Sequence, residues 1–358
     1  MSKMKRTKQP VSRLRAKIAP QSRPTIKDIA QRCGVHPSTV SRALSSATHH
    51  LVAEDVARRI RAAATALGYR PNITAAGLRT GRSGLIGVLA PDIADPSFPP
   101  ILGGLAETLN AAGYATIVVD VGPQGSQQEL VNQLVARGVD GLVLASVTLH
   151  DPVIKHCIDA SIPVVLVSRT DAGRRLPSVV TDDEGGIQLA VEHLVSLGHR
   201  RIGHVAGPPD VSTGSLRRAG FVASTASAGL AARDIMIEPA QVYTRTAGRA
   251  AALRLLERKS PPTAIVAAND LLAFGTYDAL AALGLNCPND VSVVGHNDMP
   301  YVDMLSPPLT SVRIAHRDMG ERAARQLLDR IANPAKRRDH IVLKPTLILR
   351  GSTAAPRR

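Results

Sequence analysis

The pattern of apolar and polar residues changes near residue 84. Beyond it, continuous apolar runs of strand length recur at 85–90, 115–121, 141–147, 163–168, 201–206, 263–268 and 291–295. Segments with a helical apolar period lie between most of them, at 100–112, 126–137, 185–198, 248–258, 271–283 and 316–331. Apolar strands that alternate with helices predict parallel sheets covered on both faces. These elements exceed what one sheet usually holds, so we expect an α/β body of two lobes with a ligand cleft between them.

Before residue 84 the pattern predicts three short helices. Thr25-Ile26-Lys27-Asp28 has the form of a capping box that starts the first helix. Cys33-Gly34-Val35 supplies a sharp turn, and Pro37 suits the first position of the second helix. A third helix is expected from about residue 53 to residue 67. Two helices joined by a short glycine turn and followed by a third are typical of a helix-turn-helix, which we assign to residues 24–70.

Positive charge is concentrated at the N-terminus. Residues 1–82 contain 17 Lys and Arg residues and three acidic ones, so they carry +14 of the net charge of +15. Residues 1–23 hold eight of these basic residues, no acid and no sustained apolar period, which predicts a disordered basic arm. A basic head on a nearly neutral body indicates a module that binds a polyanion. From the charge alone, the alternative is that the basic N-terminal segment is a solvated tail that binds no partner.

The composition argues against several kinds of site and location. Cys33, Cys157 and Cys287 are isolated from one another, which argues against a disulfide framework or a zinc site and fits a reducing compartment. No run approaches the ~20 apolar residues that a membrane helix needs. No apolar stretch follows the N-terminal basic residues as it would in a signal peptide. We therefore expect a cytoplasmic protein with no metal, no cofactor and no membrane contact.

Two other classes of protein could use a two-lobed α/β body. A hydrolase or metalloenzyme would display a Gly-x-Ser-x-Gly, a His-Glu-x-x-His or a Walker lysine loop, and the sequence has none of these. A dinucleotide fingerprint after the first strand is also missing. A transport-type binding protein would need a signal peptide and would have no use for residues 25–80. We therefore expect a DNA-binding regulator that is not an enzyme, and operator binding by the purified protein is the observation that separates the classes.

Motifs along most of the chain carry a family resemblance. They are 25–30 (TIKDIA), 33–35 (CGV), 38–44 (STVSRAL), 67–72 (LGYRPN), 78–81 (LRTG), 140–141 (DG), 192–194 (EHL), 197–202 (LGHRRI), 269–270 (ND), 307–310 (PPLT) and 350–353 (RGST). In these motifs the chain resembles the lactose-repressor (LacI/GalR) family over about residues 24–353. The resemblance implies a helix-turn-helix at 24–70, a hinge helix and linker at 71–83, and a tail at 354–358. It also implies that residues 84–353 form a two-lobed effector-binding and dimerisation domain of the type I periplasmic-binding-protein-like fold.

The resemblance implies a homodimer on double-stranded operator DNA, with the second helix of each subunit in a major groove. The positions implied to read bases are Pro37, Ser38 and Arg42, and those implied to contact phosphates are Thr25, Thr39 and Ser41. Arg42 suits a bidentate pair with guanine or, alternatively, a plain phosphate contact. Pro37 departs from the family because it cannot donate a hydrogen bond to a base.

The hinge is implied to span residues 72–80 and to order only on operator. Within it, Asn72 begins the helix, Ala75 meets the partner's hinge and Leu78 enters the minor groove. A mere linker with an incidentally exposed Leu78 is the alternative.

The resemblance also implies an effector site between the lobes. Its matching positions are Asp95, Phe98, Thr213, Arg217, Tyr243 and Asn297. Asn297 stands where the family usually has an aspartate, so Arg217 would lack its usual carboxylate and the effector would be a sugar acid rather than a neutral sugar. Asp298 could take the aspartate's role instead, which leaves a sugar as the alternative. Asp182-Asp183 either lies at the cleft or caps a helix.

Overall fold

The computed structural model describes residues 24–45, 48–70, 81–122, 125–335 and 339–357. It divides into two compact units, Met1–Thr80 and Gly81–Arg358. The predicted arm at 1–23 and the hinge positions Asn72, Ala75 and Leu78 lie outside the described residues. None of the helices in the described ranges is long and apolar enough to cross a bilayer.

The N-terminal unit consists of three helices around one small core. They are α1 (Ile26–Cys33), α2 (Pro37–Leu44) and α3 (Glu54–Ala66), with a short 3₁₀ turn at His49–Leu51. Their fully buried side chains come from all three helices and are Ile29, Val40, Ala57 and Ile60. Burying one apolar stripe from each helix fixes the helices against one another, as the sequence predicted.

Local capping explains where α1 begins and ends. The Asp28 carboxylate accepts hydrogen bonds from the Thr25 backbone N–H at 2.6 Å and from the Thr25 hydroxyl at 2.8 Å. At the other end Gly34 has φ +64°, a left-handed conformation that glycine adopts without strain. The sharp turn between α1 and α2 therefore depends on this glycine.

The second unit contains twelve strands in two sheets of six. In chain order the strands are β1 (Leu85–Ala90), β2 (Ala115–Asp120), β3 (Gly141–Leu144), β4 (Val164–Val167), β5 (Ser178–Thr181), β6 (Ile202–Ala206), β7 (Ile235–Pro239), β8 (Ala264–Ala267), β9 (Ser292–Asn297), β10 (Thr310–Arg313), β11 (His340–Leu343) and β12 (Thr346–Ile348). The first sheet has the order β11-β5-β4-β3-β1-β2 and the second β12-β10-β9-β8-β6-β7. All described neighbours are parallel except β12, which is antiparallel to β10. The prediction of two lobes built on parallel sheets is confirmed.

Helices cover the sheets of both lobes. They are α4 (Phe98–Ala111), α5 (Gln127–Ala136), α6 (Pro152–Asp159), α7 (Asp183–Ser196), α8 (Ser212–Ser227), α9 (Arg245–Leu256), α10 (Asp270–Ala282) and α11 (His316–Ala332). Each sheet has an apolar cluster of buried side chains on either face. Burial on both faces accounts for the continuous apolar character of the central strands.

The chain crosses between the lobes three times. It leaves the first sheet after β5 to form α7 on the second, returns after β10 to form α11, and crosses again between β11 and β12. Residues beyond 353 are also held on the second lobe: the Ala354 carbonyl accepts from Ser292 Oγ at 3.1 Å, and Arg357 pairs with Asp290. The segment that the sequence suggested as a tail therefore packs against this lobe as far as residue 357.

Two helices of the first lobe pack backbone to backbone. A Cβ atom added to Gly104 on α4 would collide with the Arg317 carbonyl, and one added to Gly320 on α11 would collide with the Ile101 carbonyl. Such close approach leaves no room for a side chain. Gly103, the exposed neighbour of Gly104, would meet nothing closer than 3.8 Å.

Candidate functional site

The second helix of the helix-turn-helix presents a polar face to solvent. Ser38 and Arg42 are exposed, whereas Val40 and Ala43 on the opposite side are buried in the small core. Pro37 is the first residue of the helix, where its missing N–H costs nothing. Ser38 and Arg42 are two of the three positions expected to read bases, and the third, Pro37, is partly exposed.

The predicted phosphate contacts lie around the same helix. Thr39 and Ser41 are partly buried on α2, and Thr25 is exposed at the start of α1. The Thr25 hydroxyl proton is engaged by Asp28, so its lone pairs alone face solvent. To donate this proton to a DNA phosphate, the Thr25 hydroxyl would have to break its hydrogen bond to Asp28.

His36 is a residue of this surface that the sequence did not single out. It is the N-cap of α2, and its Nδ1 accepts from the Ser38 backbone N–H at 3.2 Å and lies 2.8 Å from Ser38 Oγ. A histidine in place of the usual Ser, Thr, Asp or Asn is the signal that could have identified it.

A second candidate site is the cleft between the two lobes, at the carboxyl ends of the parallel strands. This is the edge of an α/β sheet where ligands usually bind. The structure brings all six predicted effector positions to one cavity: Asp95 and Phe98 from the first lobe, and Thr213, Arg217, Tyr243 and Asn297 from the second.

Arg217 is paired with a carboxylate. Its Nε donates to Asp183 Oδ1 at 2.7 Å, and its Nη1 donates to the Ala268 carbonyl at 2.5 Å. Both side chains are about 95% buried or more. Burial raises the pKa of the Asp183 carboxyl, and the charge of Arg217 opposes that shift. The charge of Arg217 is therefore balanced inside the second lobe.

This pair corrects the expectation that Arg217 lacks a carboxylate. Asp183 supplies it from a buried position. Asp182 takes the expected capping role on α7 by accepting from the Gly185 N–H at 3.0 Å. Asp298 is not available to an effector, because its carboxylate is bound by Arg313 and Arg350, each at 2.7 Å. The argument from Arg217 to an acidic effector is therefore wrong.

Arg169 is a cleft residue that the sequence did not single out. It follows β4 and lines the same cavity, and its guanidinium donates a long hydrogen bond of 3.5 Å to the Ser146 carbonyl. Among the described residues no ion pair includes it. Burial lowers the pKa of its guanidinium, opposed by Tyr243, Asp210 and Asp95. An arginine stays protonated in proteins, so Arg169 brings a positive charge to the lining of the cavity.

Neutral hydrogen-bonding groups and one aromatic face complete the cavity. The Tyr243 hydroxyl donates to Thr213 Oγ1 at 3.1 Å, and Ser168 and Asn269 also line the space. The Asp95 carboxylate already accepts from the Ser97 N–H and hydroxyl at 2.9 and 2.7 Å. Phe98 adds an apolar wall. Such a mixture suits a compact, hydroxyl-rich ligand.

Backbone strain is also concentrated at this cleft. Ser168, which follows β4, and Asn297, which ends β9, have φ +66° and +108°. Residues other than glycine rarely adopt such conformations, and they tend to occur at functional sites. Ser168 directly precedes Arg169. The position of this arginine just after a predicted apolar strand is the sequence feature that could have indicated it.

Two family models match the chain. The model of bacterial regulatory proteins of the lacI family matches residues 25–72, and that of a periplasmic binding protein-like domain matches residues 191–353. The chain is 36% identical over 339 residues to the HTH-type transcriptional regulator MalR of Streptomyces coelicolor, covering 92% of this chain and 96% of MalR. The chain belongs to the LacI family. It is therefore a DNA-binding transcriptional regulator, and the predicted family and fold class are confirmed.

Other LacI-family proteins match over similar lengths. The HTH-type transcriptional repressor CytR of Escherichia coli is 30% identical over 343 residues, covering 92% of this chain and 96% of CytR. The lac repressor dimer bound to operator and an anti-inducer has a TM-score of 0.83 and 27% identity, covering 93% of this chain and 99% of that one. A complex of the regulator CelR with cellobiose has a TM-score of 0.70 and 29% identity, covering 92% and 100%.

Proposed function

We propose that this LacI-family regulator is a homodimeric repressor whose affinity for operator DNA is controlled by a sugar or sugar acid held between the lobes. The observation that carries the proposal is the cleft, where an arginine without a carboxylate partner and a set of hydroxyl and amide groups face one cavity. That cleft belongs to a chain that also exposes Ser38 and Arg42 on a helix-turn-helix.

Three similar proteins support the repressor, the dimer and the sugar effector of this proposal. CytR is named a repressor, the lac repressor structure is a dimer on operator with an anti-inducer, and CelR is bound to cellobiose. Hydroxyl and amide groups at Thr213, Tyr243, Asn269 and Asn297 can donate to and accept from sugar hydroxyls.

Arg169, rather than Arg217, favours the acid over the neutral sugar. Arg169 is partly buried and forms no ion pair among the described residues, and a carboxylate on the effector would supply such a pair with bidentate geometry. Arg217 already has Asp183 and has less to gain. Asp95 is an acidic residue of the cavity wall, and Ser97 already occupies part of its carboxylate.

The test uses the full-length protein. Its operator is first selected from a pool of random duplexes, and the dissociation constant for that operator is then measured with a panel of sugars and the corresponding sugar acids. We expect at least one acid to change operator affinity and its neutral counterpart to act more weakly.

Arg169→Gln is the decisive variant, because it keeps hydrogen-bonding capacity and removes the charge. We expect it to weaken the acid by roughly 10-fold or more, since a hydrogen bond to a charged group contributes ~1.5–3 kcal/mol, and to change the neutral sugar little. The matched control is Arg174→Gln, an exposed arginine that does not line this cavity. Equal loss for acid and neutral sugar would contradict the charge argument, and absence of any selected operator would contradict the function itself.

A further inference from the structure

The first turn of the recognition helix contains a closed hydrogen-bond arrangement between His36 and Ser38. The Ser38 backbone N–H donates to His36 Nδ1 at 3.2 Å. Nδ1 must therefore carry a lone pair and no proton. The Ser38 hydroxyl lies 2.8 Å from the same nitrogen. Because Nδ1 cannot donate, the hydroxyl is the donor in this contact, and it shares the single Nδ1 lone pair with the backbone N–H.

This arrangement decides what Ser38 can offer to DNA. A serine hydroxyl has one proton and two lone pairs, and here the proton is committed to the imidazole. Pro37 precedes Ser38 and has no N–H, while the Ser38 N–H is already satisfied. At this end of the helix Ser38, which is exposed, presents an acceptor and no free donor.

The base edges of the major groove differ in what they present to such a group. Adenine N6 and cytosine N4 are donors, whereas the purine N7, guanine O6 and thymine O4 are acceptors. We propose that His36 is a positioning residue for base reading, which fixes the Ser38 hydroxyl as an acceptor so that Ser38 pairs with the exocyclic amino group of an adenine or cytosine. The inference rests on the proposed use of α2 as the DNA-reading helix.

The experiment uses the full-length protein and an operator selected from random duplexes. At each base pair the amino-bearing base is replaced by its analogue without the amino group: 2′-deoxynebularine for adenine, or the 2-pyrimidinone nucleoside for cytosine. We expect one base pair at which the replacement weakens the parent by roughly 2- to 10-fold, the size of one neutral hydrogen bond, and leaves Ser38→Ala unaffected. A 7-deazapurine at that pair, which lacks the N7 acceptor, should leave the contribution of Ser38 unchanged.

His36→Gly tests the positioning role, because glycine is tolerated at a helix N-cap and removes the imidazole. We expect it to reduce the penalty of the amino-lacking analogue at that one base pair, because the freed hydroxyl still accepts but is no longer held in one orientation. Adding Ser38→Ala should remove what remains of the penalty, a smaller change than Ser38→Ala causes in the parent, since coupled residues are not additive. The control is His50→Ala, an exposed histidine of the same domain outside α2, which should retain the full penalty.

Three outcomes would overturn the inference. The parent could tolerate every amino-lacking analogue, the 7-deazapurine could abolish the contribution of Ser38, or His36→Gly could weaken all duplexes equally and keep the penalty, which is what a purely structural cap would do. Selection of no operator by the parent is a different result, because it would remove the proposed function as well.

Discussion

At the residue scale, the chemistry of the cleft depends on which arginine lies beside a carboxylate. The sequence placed Arg217, Thr213, Tyr243 and Asn297 at one site by resemblance, and the structure brings them to one cavity. The sequence could not reveal that Asp183 pairs with Arg217, because the two residues are 34 positions apart and meet only when α7 packs against α8. Arg169 was missed for a related reason. The absence of an acidic residue paired with it, among the described residues, is a property of the fold and not of the sequence around it.

The ion pair between Arg217 and Asp183 is predicted to be coupled. Arg217→Met should lower the free energy of unfolding by about 3–5 kcal/mol, because it leaves the Asp183 carboxylate buried without its partner. The double variant Arg217→Met with Asp183→Leu should recover at least half of that loss, because it leaves neither charge behind. Urea unfolding of the parent, both single variants and the double variant measures the coupling. A double variant as unstable as the sum of the two single variants would show that the residues act independently.

At the scale of elements, the apolar pattern predicted seven of the twelve strands and most helices, and it failed where an element is short or where its buried side chains are not apolar. Helix α8 was not predicted because its buried residues are mostly small or polar: Ser212, Thr213, Gly214, Arg217, Gly220, Phe221 and Thr225. Five strands were also missed. Strands β7, β11 and β12 are only partly buried at sheet edges, whereas β5 and β10 are largely buried but have four residues each, with polar residues at their ends. Helix α6 was missed as well, because its eight residues are too short to show a sustained apolar period. Of the two missed helices, α8 carries Thr213 and Arg217, so at this helix function and weak periodicity coincide.

The packing of α4 against α11 gives a prediction with a matched control in the next residue. Gly104→Ala should lower the free energy of unfolding by roughly 1–3 kcal/mol, because its methyl group would collide with the Arg317 backbone. Gly103→Ala should instead be neutral or stabilise by up to about 1 kcal/mol, since alanine favours the helix and the site is open. Denaturant unfolding of the two variants checks the difference. Similar stabilities would mean that the two helices can separate at little cost.

At the scale of the whole molecule, the DNA-binding charge and the ligand cleft belong to different parts of the chain. Nearly all of the net positive charge lies in residues 1–82, whereas the cavity is lined by residues between 91 and 314. A ligand in the cleft can change operator affinity only by its different affinity for the two states of the protein. Arg169 of the first lobe and Tyr243 of the second line the same cavity, so a ligand that contacted both would favour the lobe orientation that it binds better.

The coupling must then be reciprocal. If the best effector changes the dissociation constant for operator by a given factor, typically 5- to 150-fold, saturating operator must change the effector's dissociation constant by the same factor. Calorimetric titration of the full-length protein with the effector, with and without operator, measures the change in the effector's dissociation constant. Both changes must be measured at the same salt concentration, because DNA binding depends strongly on salt. A duplex of equal length and scrambled sequence is the control and should alter the effector's affinity far less. If operator and scrambled duplex affect the effector equally, the ligand in the cleft does not control recognition of the operator.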